Sequence, residues 1–283
     1  MSVRPRGGSR ECATAAGEVS GERPVASSGD FAQETRGSSV GREVGSRSVR
    51  RALAVLELLA RSGRPLSLSE IAGELRLAKS SARELLLALS DRRFACLDAS
   101  GRYRLGVRCF EVGAAYARAM TPVRASEREL EQLTRCLGVT SHFAVLDGSE
   151  VVYLLKHDPP GSGPKLASSL GGRLPAATTA VGKAQLAERA DDRVATGAAG
   201  LDGGLSGELA EVRRRGYAVD EGETAVGIRC VAAPVFDAAG CCGALGVSCL
   251  IQGGPDVETL ERAVRAAAER ASARLGGRIR GPA

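Results

Sequence analysis

Apolar residues recur at helical spacing through "SVRRALAVLELLARSG" (48–63), where Val49, Leu53, Leu56 and Ala60 share a face and Gly63 supplies a stop. The next run, "SLSEIAGEL" (67–75), opens with Ser67 and Glu70 in the S-x-x-E spacing of a capping box and carries Leu68, Ile71, Ala72 and Leu75. A short "RLA" follows. A third amphipathic run, 77–89, then places Ala82, Leu85, Leu86 and Leu89 on one face. Lys79, Ser80, Arg83, Glu84 and Leu87 fall on the others. Ser81 and Glu84 form a second S-x-x-E pair, which leaves a later helix start open. Leu87, off the apolar face, suits either a thymine methyl or a partner chain. "FACLDASGRYRLG" (94–106) predicts two short strands around a turn at "DASG".

Helix, helix, short turn, helix and basic hairpin is the order of a winged helix-turn-helix. In such a module the second helix of the pair presents its N-terminal end to the major groove. Hydroxyls and backbone N–H groups there grip phosphates, and cations reach base edges. Lys79, Ser80, Ser81 and Arg83 are therefore expected at the groove, with Arg102 on the hairpin beside the flanking backbone. A three-helix module used only for protein contacts is the competing reading.

Beyond the hairpin, Val107, Phe110, Gly113, Ala114 and Ala117 predict a linking helix, and Pro122 ends it or opens the next. "VRASERELEQLTRCLG" (123–138) is a helix closed by Gly138, and 139–158 is two strands joined at Asp147–Gly148. A loop follows at 159–165, then a helix over 174–190 and a loose stretch over 191–206. Residues 207–237 read as a helix, a long loop and a strand, with 241–250 as its hairpin partner. A last helix runs from about Val257 to Leu275. The expected second half is an α+β cradle of antiparallel strands with helices packed on one face, suited to a small molecule. The expected division is a disordered tail at 1–46, a DNA-binding domain at 47–106, a linker helix at 107–121, an effector domain at 122–276 and a tail at 277–283.

Charge sharpens the first half. Residues 47–105 hold 12 Lys+Arg against 6 acids, while the flanking regions balance, so the whole net charge of +6 falls on the predicted winged helix. That concentration is the footprint of a module that meets phosphates. Residues 1–46 have few large apolar side chains and cannot offset chain entropy by burial. The eight cysteines are scattered without a C-x-x-C pair, and there are two histidines, so neither a disulfide framework nor zinc is expected. No apolar run is long enough to span a bilayer, and the N-terminus lacks the apolar core of a secretory signal, which predicts a cytoplasmic protein.

Several blocks in one order carry a family resemblance: "SVRRALAVLELLA", "LSLSEIA", "GRYRLG", "FAVLDGSEVVYL", "GGRLPA" with "AVGKA", "EVRRRGYAVDEGE" and "GIRCVAAPVFD". Over roughly residues 47–276 the chain resembles the IclR family of bacterial transcriptional regulators. The resemblance implies a winged helix joined by a linker helix to a GAF-like effector domain, in a homodimer or homotetramer that binds double-stranded DNA at a palindromic operator. It also implies a small-molecule effector, commonly an organic acid or aromatic metabolite, and no cofactor. The family's effector residues match Thr179, Ala180, Val181, Asp220, Cys230, Gly246 and Ser248. The chain departs from the family where Ala177 replaces a usual His and Gly246 replaces a serine, and where the stretch over 184–210 is short. Arg83 and Glu84 also replace frequent recognition-helix residues, so operator sequence does not carry over.

Other classes fit less well. Asp220 with Cys230 suggests nucleophilic chemistry, but a thiol needs a base and no motif orients His142 or His157 as one. Cys241, Cys242 and Cys249 raise a redox-responsive regulator, yet adjacent cysteines rarely pair. Asp220, Glu221 and Glu223 lack ligand-spaced His or Cys partners for a metal. A ligand-binding relative that has lost specific DNA binding is the remaining alternative.

Overall fold

The computed structural model describes residues 46–161, 168–189 and 203–277. Almost all of the expected N-terminal tail, most of the 191–206 stretch and residues 278–283 lie outside the described residues.

The N-terminal module is three helices and a hairpin. Helix α1 (Arg47–Ser62) turns Val55 and Leu59 inward and stops at Gly63, whose φ of 62° is the left-handed conformation glycine adopts without strain. Helix α2 (Leu68–Glu74) starts with the predicted capping box: the Ser67 hydroxyl accepts from Glu70 N and the Glu70 carboxylate accepts from Ser67 N. Those bonds from Ser67, with a further one from Arg64, hold the Glu70 carboxyl down at about 2.

Helix α3 (Lys79–Asp91) begins at Lys79 with Ala78 as N-cap, so the later start at Ser81 is not taken. No side chain caps it. Strands β1 (Ala95–Leu97) and β2 (Tyr103–Leu105) pair antiparallel, and Leu66 bridges to Tyr103 as a third short member. Between β1 and β2 the Asp98 carboxylate accepts from the backbone N–H of Ser100 and Arg102 and fixes the turn. Val55, Leu59, Leu66, Ile71, Leu86 and Ala95 form the core of this module.

Helix α4 (Val107–Ala119) follows Gly106, where a Cβ would sit 2.0 Å from the Arg93 carbonyl oxygen, so only glycine lets the chain pass. None of the residues of α4 is buried. Helix α5 (Thr121–Leu137) starts directly behind it with Pro122 in its first turn, where a missing N–H costs nothing.

The second half is built on one six-stranded antiparallel sheet. Its strands are β3 (Thr140–Asp147), β4 (Glu150–His157), β5 (Arg173–Pro175), β6 (Ala218–Glu221), β7 (Ile228–Asp237) and β8 (Gly240–Leu250), in the order β5-β4-β3-β8-β7-β6. Helices cover both faces, not one as the sequence suggested. Helix α5 and the C-terminal helix α8 (Val257–Arg274) pack on Phe143, Val231, Val235, Leu245 and Val247. Helices α6 (Ala180–Leu186) and α7 (Gly203–Arg215) pack on the opposite side, against Ala144, Ala218, Ala232 and Ala244. The cause is visible in β7, where Val231, Ala233 and Val235 face one layer and Ala232 the other, so every position is buried in turn.

Two further expectations shift. The helix expected over 174–190 is shorter, because Leu174 pairs with Val151 in β5 and Thr179 then caps α6 by accepting from Gly182 N. The expected long loop after α7 contains β6, a four-residue edge strand too short to show a period.

Candidate functional site

The structure presents two candidate sites, one exposed and one buried. The exposed one is the start of α3. Lys79, Ser80 and Arg83 are exposed and Ser81 is half-buried, while Ala82 and Leu86 anchor the other face of the helix in the core. Neither Lys79 nor Arg83 has an ion pair among the described residues, so both cations are available to an incoming anion. Leu87 is 53% exposed on the same helix.

Arg102 behaves differently from expectation. Its guanidinium turns back onto α2, 3.1 Å from a Glu70 oxygen and 3.5 Å from the Pro65 carbonyl. It fastens the hairpin to the capping box. The hairpin's unpaired cation among the described residues is Arg104, exposed on β2.

The buried site is a cleft between the β3–β8–β7–β6 face of the sheet and α6. Its free space is about 360 Å³, part of it open to solvent. Sheet register builds it. Asp220 pairs with Cys230, and Cys230 with Ser248, which sets three of the expected effector side chains in one cross-strand row. His142 pairs with Gly246 in the next row. Thr179, Ala180 and Val181 close the cleft from the start of α6.

Six of the seven expected effector residues line this cleft: Thr179, Ala180, Val181, Asp220, Cys230 and Ser248. Gly246 does not line it but makes room for what does. A Cβ at Gly246 would lie 3.0 Å from His142 Nε2 and 3.0 Å from Val181 Cγ1, so the missing side chain is what lets the imidazole lie there. His142, Tyr153, Ser168, Leu174, Thr224, Ala225 and Ile228 complete the lining and were not anticipated. The available signal was a histidine inside an apolar strand at a position whose neighbour Phe143 faces the core.

The electrostatics of the cleft follow from burial. His142 is 2% exposed, and desolvation together with Lys156 pushes its imidazole down to about 4, so it is neutral near pH 7. It meets the Tyr153 ring edge-on, with centroids 5.2 Å apart. Burial raises the Tyr153 hydroxyl far above the phenol range, and the Cys230 and Asp220 charges add to the rise. Burial likewise pushes the Cys230 thiol up to about 12, against the opposing pull of its 3.1 Å contact with the Ser248 hydroxyl. Such a thiol is not a nucleophile at neutral pH.

Burial also raises Cys241, to about 12, Cys242 further, and Cys249 as well, which disfavours the thiolates that the redox-responsive reading needs. No cluster of metal-binding residues occurs among the described residues.

A strap closes the cleft. Residues 222–227 join β6 to β7 between Gly222 and Gly227, whose φ values are 88° and 80°. Asp220 Oδ1 accepts from Glu223 N at 2.7 Å and Thr224 N at 3.3 Å, and the Thr224 hydroxyl donates to the Thr178 carbonyl. Beneath the strap, the fully buried Lys183 ammonium holds Glu223 at 2.6 Å and Glu208 of α7 at 2.8 Å.

A winged helix with free cations on its recognition helix, followed in the same chain by a sheet domain with a partly open cleft that carries buried polar groups, defines a one-chain transcriptional regulator. Comparison with known proteins agrees. The profile described as bacterial transcriptional regulator IclR C-terminal matches residues 114–273, and the IclR helix-turn-helix domain matches residues 48–98. The chain belongs to the IclR family of bacterial transcriptional regulators. It is 32% identical over 210 residues to the HTH-type transcriptional regulator XynR of Escherichia coli (strain K12), covering 67% of this chain and 80% of that one. It is 33% identical over 208 residues to the HTH-type transcriptional regulator BhcR of Paracoccus denitrificans (strain Pd 1222), covering 69% and 74%.

Among solved structures, an IclR-type transcriptional regulator from Alicyclobacillus acidocaldarius superposes with a TM-score of 0.70 at 30% identity, over 82% of this chain and 100% of that one. An IclR homologue from Microbacterium hydrocarbonoxydans complexed with 4-hydroxybenzoate has a TM-score of 0.73 at 20% identity, over 81% and 98%, and shares the fold. The relatives are named as regulators, which places this chain among DNA-binding transcriptional regulators and not among enzymes. No helix among the described residues is long and apolar enough to cross a membrane.

Proposed function

We propose that this protein is a cytoplasmic, dimeric repressor or activator that binds a palindromic operator in double-stranded DNA and changes its affinity when a small molecule enters the cleft. The observation that carries the reading is the start of α3, where Lys79 and Arg83 stand exposed and unpaired on a helix anchored by Leu86. On this reading residues 47–106 are the DNA-binding domain, 107–121 the linker and 122–276 the effector domain. Lys79, Ser80 and Ser81 hold phosphates, Arg83 reads a base edge, and Arg104 meets the flanking backbone. Arg102 holds the wing in place through Glu70.

The dimer reading rests on apolar surface that one chain leaves uncovered. Val49 and Leu53 of α1 are 56% and 53% exposed, and Phe110 of α4 is 75% exposed. A second copy that covers α1 and α4 buries these side chains and sets two recognition helices at half-site spacing. The effector site is the cleft lined by Thr179, Ala180, Val181, Asp220, Cys230 and Ser248, with Gly246 beneath His142. Its ligand shifts the protein between dimer geometries only as far as its differential affinity allows.

The test is binding of the full chain to the DNA upstream of its own gene across a salt series, followed by footprinting. Saturable binding that resists competitor DNA, with two protected half-sites, is the expected result. Weak binding that ignores sequence and vanishes with salt overturns the reading, since only the phosphate attraction would remain.

A further inference from the structure

We propose that Lys183 is a positioning residue of the cleft: its buried ammonium holds the strap shut through Glu223, and the polar end of the cleft becomes accessible when that contact breaks. The regulatory meaning of this latch rests on the cleft being the effector site; the latch itself does not.

The first argument is access. Thr179, Asp220 and Ser248 are 2%, 1% and 4% exposed, and Thr224 and Ala225 of the strap belong to the same lining. A molecule that reaches these groups displaces the strap. The strap is suited to moving. None of residues 222–227 is buried, and Val226 is 98% exposed, so apolar packing does little to hold it down. Gly222 and Gly227 bound it in left-handed conformations, where glycine absorbs backbone rotation most easily.

The second argument is what holds the strap in place. Asp220 accepts from two of its N–H groups, and the Thr224 hydroxyl donates to the Thr178 carbonyl. The contact of Lys183 with Glu223 joins the strap to a buried cation. Its two ends differ, with side chains 1% exposed for Lys183 and 44% for Glu223. An ammonium this far from water depends on its carboxylates, so the pair is stronger than one in which both ends are exposed. Glu208 of α7 braces the same ammonium from a second side. Lys183 is also the end that stays fixed. Every residue of α6 is buried, and a Cβ at Gly182 would lie 2.2 Å from the Ala176 carbonyl oxygen, so the helix sits directly on the chain before it. Without the ammonium, Glu208 and Glu223 are two like charges brought close together, which favours an open strap.

The experiment uses the full chain without ligand, as wild type, Glu223→Gln, Lys183→Met and the double variant. Hydrogen exchange is read by mass spectrometry with electron-transfer fragmentation at the Glu223 and Thr224 amides, the two that Asp220 protects. Both single variants are expected to exchange there about tenfold or more faster, the scale of one lost hydrogen bond to a charged group. The double variant is expected to exchange no faster than Lys183→Met, because the two residues act through one contact. The Val231 and Val247 amides, in the sheet, are expected to keep their rates. Alkylation by N-ethylmaleimide reads entry to the cleft. Cys230 on the cleft wall is expected to react faster in both single variants, and Cys136, exposed on α5, to react at an unchanged rate.

Unchanged strap exchange in Glu223→Gln overturns the proposal, and this variant decides even if Lys183→Met fails to fold. A rise shared by Val231 and Val247 overturns it too, since Lys183 would then support the whole domain. So does additivity in the double variant, or a strap that exchanges faster while Cys230 reacts no faster. The measurement needs neither effector nor operator, so its failure leaves the effector reading standing, and failure of operator binding leaves the latch standing.

Discussion

The start of α3 and the cleft under the strap are opposite solutions to presenting polar groups. Lys79 and Arg83 stand in water, unpaired, on a helix whose position is fixed by Ala82 and Leu86 behind them. Asp220, His142 and Ser248 are almost completely buried, and their positions come from strand register and from bonds to the strap. The first arrangement keeps charge hydrated until a polyanion displaces counterions. The second concentrates a few groups where water is scarce, so each one discriminates strongly. On the proposed reading the first arrangement tunes the affinity for DNA and the second receives a small molecule.

The comparison is broken most forcefully through the cores, which share no residue. Phe143 is fully buried in the layer under α5 and α8, whereas Leu86 is fully buried behind the recognition helix. Phe143→Ala is expected to cost about 3–5 kcal/mol and Leu86→Ala about 2–5 kcal/mol. By differential scanning calorimetry each should lower a different unfolding transition. If either substitution lowers a single shared transition, the two regions fold as one cooperative unit and the contrast between them is only local.

A next effect, on the order of 3 kcal/mol, separates the regions by pH. His142 titrates at about 4 in the folded protein against an ordinary 6.5, so the unfolded chain takes up its proton first. The stability contributed by the neutral imidazole is therefore fully present above pH 6.5. It is lost as pH falls from there toward 4, below which this residue adds no further slope. Chemical denaturation at pH 7.5, 6, 5 and 4.5 should show this fall in the wild type, and His142→Asn should flatten it. A loss that is unchanged in His142→Asn places the acid sensitivity elsewhere.

The two regions also differ in how far they could be read from sequence. The recognition helix is legible because helical spacing alone decides which of Lys79, Ser80, Arg83 and Leu86 face out or in. The capping box at Ser67 and the stop at Gly63 are equally local signals. The cleft is legible only in part. Asp220, Cys230 and Ser248 come from three strands separated by loops, and only the ladder Asp220–Cys230–Ser248 brings them into one row. His142 and Tyr153 stayed hidden for the same reason. The second helix layer was missed because β7 and β8 are apolar on both faces, a pattern without the alternation that marks a one-sided sheet.

Arg83 tests the exposed region more finely. Arg83→Ala should weaken operator binding by about 1–3 kcal/mol and relax preference at one base pair, if the guanidinium reads a base edge. Anisotropy titrations against the operator and single-base variants give both numbers. A uniform loss over all variants makes Arg83 a phosphate contact. Thermal stability should move little, because the side chain is exposed and has no ion pair among the described residues.

The smallest effect concerns the hairpin, where two arginines two residues apart are expected to do different work. Arg104 is exposed and unpaired among the described residues, so Arg104→Ala should reduce the slope of log affinity against log salt by about 1, the signature of one lost phosphate contact. Arg102 is bound to Glu70 and the Pro65 carbonyl. An exposed pair of this kind contributes little to stability. Arg102→Ala should therefore lower the melting temperature slightly and leave the salt slope unchanged. The reverse result, a reduced slope with an unmoved melting temperature, means that Arg102 leaves Glu70 when DNA arrives. The hairpin would then be a mobile arm that exchanges an internal carboxylate for a phosphate, and its charge would belong with the free cations of α3 instead of with the fold.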